Sequence, residues 1–207
     1  MLHPHTKLAW ISDAKEFGVV ATQRIPMGTI TFAQDPLDIR ISVDSPLLVD
    51  ERYREVVEKY SYMNCEGEFV ISWDHGKYMN HCCFSNTLTT GYGFEIAIRD
   101  IEEGEEVTDD YGIFTIRHHM AMSCSKQNCR KVVSIDAFET LESQWDDKII
   151  NALKQFNDYK QPLDRFLTDE IATSLTRYLA TGEGYLSVEN QKPRAKEIAI
   201  YEEQKAE

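Results

Sequence analysis

Two stretches decide how this chain is read: Asn80-His81-Cys82-Cys83-Phe84-Ser85-Asn86 and Gly104-Glu105-Glu106-Val107-Thr108-Asp109-Asp110-Tyr111-Gly112. Taken alone, the first is a polar loop with two thiols and the second an acidic turn entering a short extended segment. Around them the chain divides into short strands. Lys7-Leu8-Ala9-Trp10-Ile11, Val19-Val20-Ala21, Thr29-Ile30-Thr31-Phe32, Ile39-Arg40-Ile41 and Phe69-Val70-Ile71-Ser72-Trp73 are mostly rich in β-branched or aromatic residues. They are punctuated by Gly18, Pro26-Met27-Gly28 and Pro36. Phe94-Glu95-Ile96-Ala97-Ile98 alternates as a strand should, and Glu106-Val107-Thr108 is short and extended. One helix interrupts the series, from Ser45 to about Tyr60, with Val49, Tyr53, Val56, Val57 and Tyr60 at helical spacing.

From about Asp136 the period lengthens. Phe138, Leu141, Trp145, Ile149, Leu153 and Phe156 recur every three or four residues, which predicts an amphipathic helix of about five turns. Pro162 breaks the pattern. Leu163, Phe166, Leu167, Ile171, Leu175, Tyr178 and Leu179 then make a second apolar stripe, closed by Thr181-Gly182-Glu183-Gly184. After about Glu189 the tail is charged. Short strands followed by a helical hairpin make an α+β arrangement.

Composition narrows the class of function. The chain has 207 residues, of which 42% are apolar, enough for a globular core. No apolar run approaches the roughly 18–20 residues that cross a bilayer, so no membrane association is expected. Met1-Leu2-His3-Pro4-His5 has neither the basic nor the apolar part of a secretory signal. The expected location is cytoplasmic, or nuclear if the protein is eukaryotic or an effector. Five cysteines, an odd number, argue against a disulfide scaffold and for reduced thiols or a metal site. A net charge of −13 disfavours direct nucleic-acid binding and favours a basic polypeptide partner.

In this order, the two stretches resemble the paired signatures of SET-domain protein-lysine methyltransferases, Asn-His-Ser-Cys-x-Pro-Asn followed by Glu-Leu-x-x-Asp-Tyr-Gly. Phe17-Gly18-Val19-Val20-Ala21-Thr22 with Ile25-Pro26-Met27-Gly28 is similar to the family's opening Gly-x-Gly-Leu-Phe-Ala and its Ile-x-x-Gly turn. Ile96 to Ile101 before Gly104-Glu105-Glu106 matches the strand and turn that precede the tyrosine motif. The resemblance covers about residues 6–133. It implies a β-clip of short sheets with a knot-like crossing that brings Asn80 and Tyr111 into one pocket. It also implies a SET domain over 6–117 and a post-SET-like segment over 118–133. Residues 134–207 would be a C-terminal helical extension and charged tail outside the common core, with a homodimer through those helices left open.

The implied reaction moves a methyl group from S-adenosylmethionine to the lysine ε-amine of a basic protein, a histone or histone-like one. A lysine has a pKa of roughly 10.4 and must lose a proton before it can attack. A nearby sulfonium and an apolar channel favour the neutral amine, and a hydroxyl can hold it in line with the methyl group. By resemblance that hydroxyl belongs to Tyr111, which also borders the cofactor. Asn80 and His81 would bind the cofactor's adenosyl and amino-acid ends, with Phe17 and Gly18 against its other side.

Zinc is a second implication. The family's post-SET Cys-x-Cys-x4-Cys joins the cysteine of the first signature, and here Cys124 and Cys129 remain, with Cys83 as their partner. Three thiolates fall short of a tetrahedral four, and His118, His119 and Cys65 are each open as the last ligand. Other departures are Glu16 at the family's first glycine, Cys82, Phe84 and Ser85 within the first signature, and Met122 in the second cysteine cluster. Asp109 stands where many members carry Phe or Tyr, which leaves the number of methyl groups open and puts an acid within reach of the incoming ammonium. Two rival readings follow. One is a SET-fold binding module that has lost turnover. The other is a cysteine hydrolase built on His81, Cys82 and Cys83, disfavoured because sequence neighbours seldom reach each other and no orienting third group is evident.

Overall fold

The N-terminal alternation folds into an antiparallel hairpin of β1 (Thr6–Ser12) and β2 (Glu16–Ala21), with Trp10 opposite Phe17. This computed structural model describes residues 1–114, 116, 119–122 and 126–192. β2 pairs antiparallel with β10 (Glu106–Asp109), and β10 pairs in parallel with β7 (Asn80–His81), so the sheet runs β1-β2-β10-β7. A parallel pair cannot be closed by a tight turn. The chain between β7 and β10 therefore leaves this sheet and builds β8 (Thr87–Thr89) and β9 (Phe94–Ala97), which join β3 (Ile30–Ala33) in the order β3-β9-β8. A third sheet, in the order β4-β6-β5, consists of β4 (Ile39–Ile41), β5 (Ser61–Met63) and β6 (Phe69–Ile71), with α1 (Glu51–Tyr60) leading directly into β5. Among the described residues, several small sheets with three helices make the α+β fold read from the sequence.

One buried side chain locks the return of β10 onto the loop after β7. The Asn86 carboxamide oxygen accepts the Thr108 N–H at 2.8 Å, and its nitrogen donates to the Glu106 carbonyl at 2.8 Å. Together with the Asn86 N–H, which donates to the Thr108 carbonyl at 3.2 Å, it completes the edge of β10. Asn86→Ala would strip partners from buried backbone groups at a cost of about 1–3 kcal/mol each. The expected result is a clearly lower urea midpoint. An unchanged midpoint would show that water replaces the carboxamide.

Two local differences from the expected elements have simple causes. The single helix expected over 45–60 begins as a 3-10 turn at Pro46–Leu48, capped by Ser45. α1 then starts afresh because the Asp50 carboxylate accepts the Arg52 N–H. Two successive caps divide what periodicity joins. β5 was not expected, since Ser61-Tyr62-Met63 follows α1 without a turn signal and owes its extended state to pairing with β6.

The expected long helix is α2 (Ala137–Leu153), and its apolar stripe is core. Trp145, Ile149, Ala152 and Leu153 pack with Ile30, Leu88, Phe94 and Ile96 of the β3-β9-β8 sheet in one cluster. Gln161 ties the following segment to β3, accepting the Ile30 N–H at 2.9 Å and donating to the Gly28 carbonyl at 3.0 Å. The hydrophobic core is therefore continuous across residue 134, and the face of α2 is already covered. α3 (Asp169–Thr181) starts at the Thr168 cap and stops at Gly182, whose φ of +73° is the left-handed cap read from Gly182 in the sequence. Of α3 only Leu175 is fully buried. The tail 193–207 lies outside the described residues, and among those described no helix is long and apolar enough to cross a membrane.

Candidate active site

The parallel pairing of β7 with β10 sets Asn80 beside Thr108 and His81 beside Asp109, which puts both signature stretches at one crossing. From β7 the Asn80 carboxamide reaches across two strands, donating to the Phe17 carbonyl at 3.0 Å and to Glu106 Oε1 at 2.9 Å. Lys15 closes the cluster with a 2.6 Å ion pair to Glu106 Oε2. Gly18 is needed here for space: a Cβ would lie 2.6 Å from Ile11 Cγ1 and 2.8 Å from Asn80 Nδ2. Glu16, at the tight end of the hairpin, takes φ +58°. The left-handed demand of that position persists although the residue is not glycine, at an ordinary cost of about 1–2 kcal/mol. Phe17 is exposed and edge-on to Trp10 at 5.3 Å and to Tyr78 at 6.0 Å.

His81 and Tyr111 are joined through backbone and ring. The Tyr111 N–H donates to His81 Nδ1 at 3.0 Å, so a neutral imidazole must carry its proton on Nε2, which faces Cys83 Sγ at 3.3 Å. Burial depresses this histidine to about 4, against an opposing pull from Asp110, which keeps it neutral at physiological pH. Both ring nitrogens are thereby engaged inside the protein, leaving only the backbone of His81 to meet a ligand. The turn at Tyr111 is held by Asp110, which accepts the Gly112 N–H at 3.1 Å, Arg130 at 2.5 Å and Trp145 Nε1 at 3.1 Å. The Tyr111 hydroxyl donates to the Met79 carbonyl at 2.6 Å. Burial first, then Asp109, Glu95 and Glu106, push this phenol above its ordinary value, so it stays protonated.

Tyr111 lines a cavity of about 250 Å³. Phe32, Tyr62, Phe69 and Phe114 give it an aromatic wall, and Glu95 and Asp109 add two acids beside the phenol. Phe17, Gly18, Asn80 and His81 do not border this cavity, whereas Met79, next to Asn80 in sequence, does, and its carbonyl holds Tyr111. Tyr111 links the two features, its N–H bonded to His81 at the crossing and its hydroxyl held by Met79 in the cavity lining. Glu95 was not singled out in the sequence. Its signal is a charged residue inside Phe94-Glu95-Ile96-Ala97, where all four positions are buried.

Residues 16–112 match the family model described as SET domain. This segment has the SET fold. Among solved structures, it is similar to KRYPTONITE in complex with mCHH DNA, H3(1-15) peptide and SAH, at 20% identity and a TM-score of 0.45, over 64% of this chain and 30% of that one. It is similar to KRYPTONITE in complex with mCHG DNA and SAH at 21% identity and 0.42, over 59% and 27%. The methyltransferase domain of human histone-lysine N-methyltransferase SETMAR gives 15% and 0.44, over 64% and 58%. The chain thus spans about a third or less of KRYPTONITE and somewhat over half of the SETMAR chain. No curated protein matches the sequence.

Beside this SET domain, the cysteines supply part of a metal site. Cys83 Sγ and Cys129 Sγ lie 3.6 Å apart, close to the roughly 3.8 Å that two thiolates span on a tetrahedral zinc with bonds of about 2.3 Å. Cys124 and His118 lie outside the described residues. Cys65 sits in the turn between β5 and β6, bonded to Glu66, and His119 is exposed. Among the described residues, no three His, Cys, Asp or Glu side chains are grouped to hold a metal. The described donors fill two corners of four, and no zinc is assigned.

Proposed function

We propose that this protein transfers a methyl group from S-adenosylmethionine to the ε-amine of a lysine in a basic protein, a histone or histone-like one. The observation that carries the reading is Tyr111: its hydroxyl, fixed by Met79, faces a cavity behind the crossing that holds Asn80. When bound, S-adenosylmethionine supplies an electrophilic methyl group on a sulfonium. The residues at the crossing suit its polar ends. Among the described residues nothing donates to Asn80 Oδ1, and the Asn80 carboxamide is already oriented by Phe17 and Glu106. In this reading Phe17 and Gly18 flank the cofactor, His81 contributes backbone, and the His81 ring sets the Tyr111 backbone. Tyr111 orients the nitrogen lone pair, while the aromatic wall excludes water from the amine. The chain's charge of −13 draws a basic substrate to it.

Incubation with labelled S-adenosylmethionine and a pool of histones and other basic proteins, read by mass spectrometry, tests the reading. Label on lysine is the expected result. Tight cofactor binding with no transfer to any protein or peptide would instead identify a SET-fold binding module. In calorimetry, Asn80→Ala is expected to weaken cofactor binding about 10- to 100-fold, the range for removing one well-placed hydrogen-bonding group. Unchanged affinity would remove Asn80 from the cofactor site.

A further inference from the structure

Two buried acids border the Tyr111 cavity. Glu95, from the middle of β9, is 6% exposed, and Asp109, at the end of β10, is 1% exposed. Glu95 Oε2 accepts the Thr87 hydroxyl at 3.4 Å; Asp109 accepts the Thr89 hydroxyl at 3.0 Å and the Asp110 N–H at 2.6 Å. Among the described residues, neither takes part in an ion pair. Buried charge without a partner is expensive, and two neighbouring carboxyls resist ionising together. Desolvation pushes Glu95 up to about 8, and desolvation with repulsion from Glu95 holds Asp109 well above the carboxylate range. A second, independent observation points the same way. Ser72, 3% exposed, lines the same cavity, and among the described residues its hydroxyl has no hydrogen-bond partner, nor has the buried hydroxyl of Ser61 in the same lining. Unmet hydroxyls in the same cavity lining as an acid pair that joins no described ion pair suit a hydrogen-bonding cation.

We propose that Glu95 and Asp109 form a carboxyl pair that receives the substrate's ammonium group and takes its proton, so that Tyr111 faces a neutral amine. This rests on the methyltransferase reading above. With a pKa of roughly 10.4, only about one lysine in a thousand is neutral near pH 7.4. In the form with one carboxyl protonated and the other ionised, the pair draws the ammonium in. The proton passes from nitrogen to the ionised carboxylate, which leaves both acids protonated. The nitrogen lone pair then bonds to the methyl carbon as the carbon–sulfur bond breaks. With S-adenosylmethionine bound, that bond's electrons would stay on its sulfur, and the product nitrogen would again be cationic. The extra proton returns to water between turnovers.

The groups that face the pair are few in kind. Tyr111 and Tyr62 are phenols kept protonated by burial and by the nearby acids. The N-terminal ammonium of Met1 acts to lower Glu95, and Asp110 acts to raise Asp109. Glu58, Lys59, Tyr60 and Lys77 also line the cavity.

The test has two arms on the full chain. Calorimetry at about pH 7 compares n-butylammonium with 1-butanol. The cation is expected to bind at least tenfold more tightly, and both Glu95→Gln and Asp109→Asn should lose that advantage by tenfold or more. Equal binding of the alcohol, or indifference to both substitutions in folded protein, would overturn the proposal. The second arm follows single-turnover methyl transfer to a lysine peptide across pH. Glu95→Gln is expected to lose roughly 100-fold near pH 7.5 and to recover steadily toward about pH 10, where the amine sheds its own proton. A loss that is the same at every pH would also overturn it, because positioning alone would behave that way. If butylammonium binds as expected and no methyl group is transferred, the pair stands as a cation receptor and the methyltransferase reading fails. Asp109→Asn serves in the second arm if Glu95→Gln does not fold.

Discussion

Tyr111→Phe is expected to slow methyl transfer by roughly 100-fold or more while folding and S-adenosylmethionine affinity stay close to those of the parent. The substitution removes one oxygen and keeps the ring, which packs against His81 at 5.5 Å and Phe114 at 6.3 Å. The Met79 carbonyl loses its 2.6 Å partner, a stability change of about 1 kcal/mol. Because burial and the neighbouring acids keep the phenol protonated, its oxygen is expected to act by orienting the amine and not as a base. The deficit should therefore be the same from about pH 7 to pH 9, unlike that of Glu95→Gln. Rate measurements at saturating cofactor separate the two. A Tyr111→Phe protein as fast as the parent would place the chemistry elsewhere.

How much of this site the sequence discloses depends on whether the determinant is local. Asn80, His81 and Tyr111 lie in short runs whose order is itself a signature, so they are visible without coordinates. What the side chains touch is not. The His81 ring reads as a cofactor ligand in the motif, yet its nitrogens serve the Tyr111 amide and Cys83. Asp110 reads as one letter of the tyrosine motif, but its carboxylate gathers an amide, a guanidinium and an indole from three parts of the chain. Glu95 was invisible as a functional residue because strand alternation predicts one wet face, and both faces of β9 are covered.

The same division runs through the fold. Strands with their own β-branched pattern, such as Ile39–Ile41, have the bounds that composition predicts. β7 has two residues and exists only because β10 returns to pair with it, so no window of sequence holds its signal. β8, Thr87–Thr89, likewise depends on β9 across a turn. The apolar stripe of α2 was visible, but whether it faced a second molecule or its own core was not. A 3.6-residue period reports that a face is buried, never against what.

Trp145→Ala should therefore damage both stability and activity, although it lies in the helical extension beyond the signatures. Trp145 is 2% exposed, packs edge-on to Phe138 at 5.8 Å, and donates its indole N–H to Asp110 Oδ2 at 3.1 Å. It also presses on the turn itself: a Cβ on Gly112 would stand 3.2 Å from its Cζ2. Truncating a buried tryptophan costs about 3–5 kcal/mol, a large share of the roughly 5–15 kcal/mol that holds a domain together. Trp145→Phe divides the effect. It retains most of the ring volume and deletes the donor, so Asp110 keeps Arg130 and the Gly112 amide but loses its tie to α2. The expected pattern in urea denaturation is a severe loss for Trp145→Ala and a moderate one, about 1–3 kcal/mol, for Trp145→Phe. In the folded Trp145→Phe protein, transfer should slow while cofactor binding holds, because the displaced element is the turn that aims Tyr111. If Trp145→Ala kept the parent's midpoint and rate, α2 would be an attachment to the SET domain and not a support for its active site.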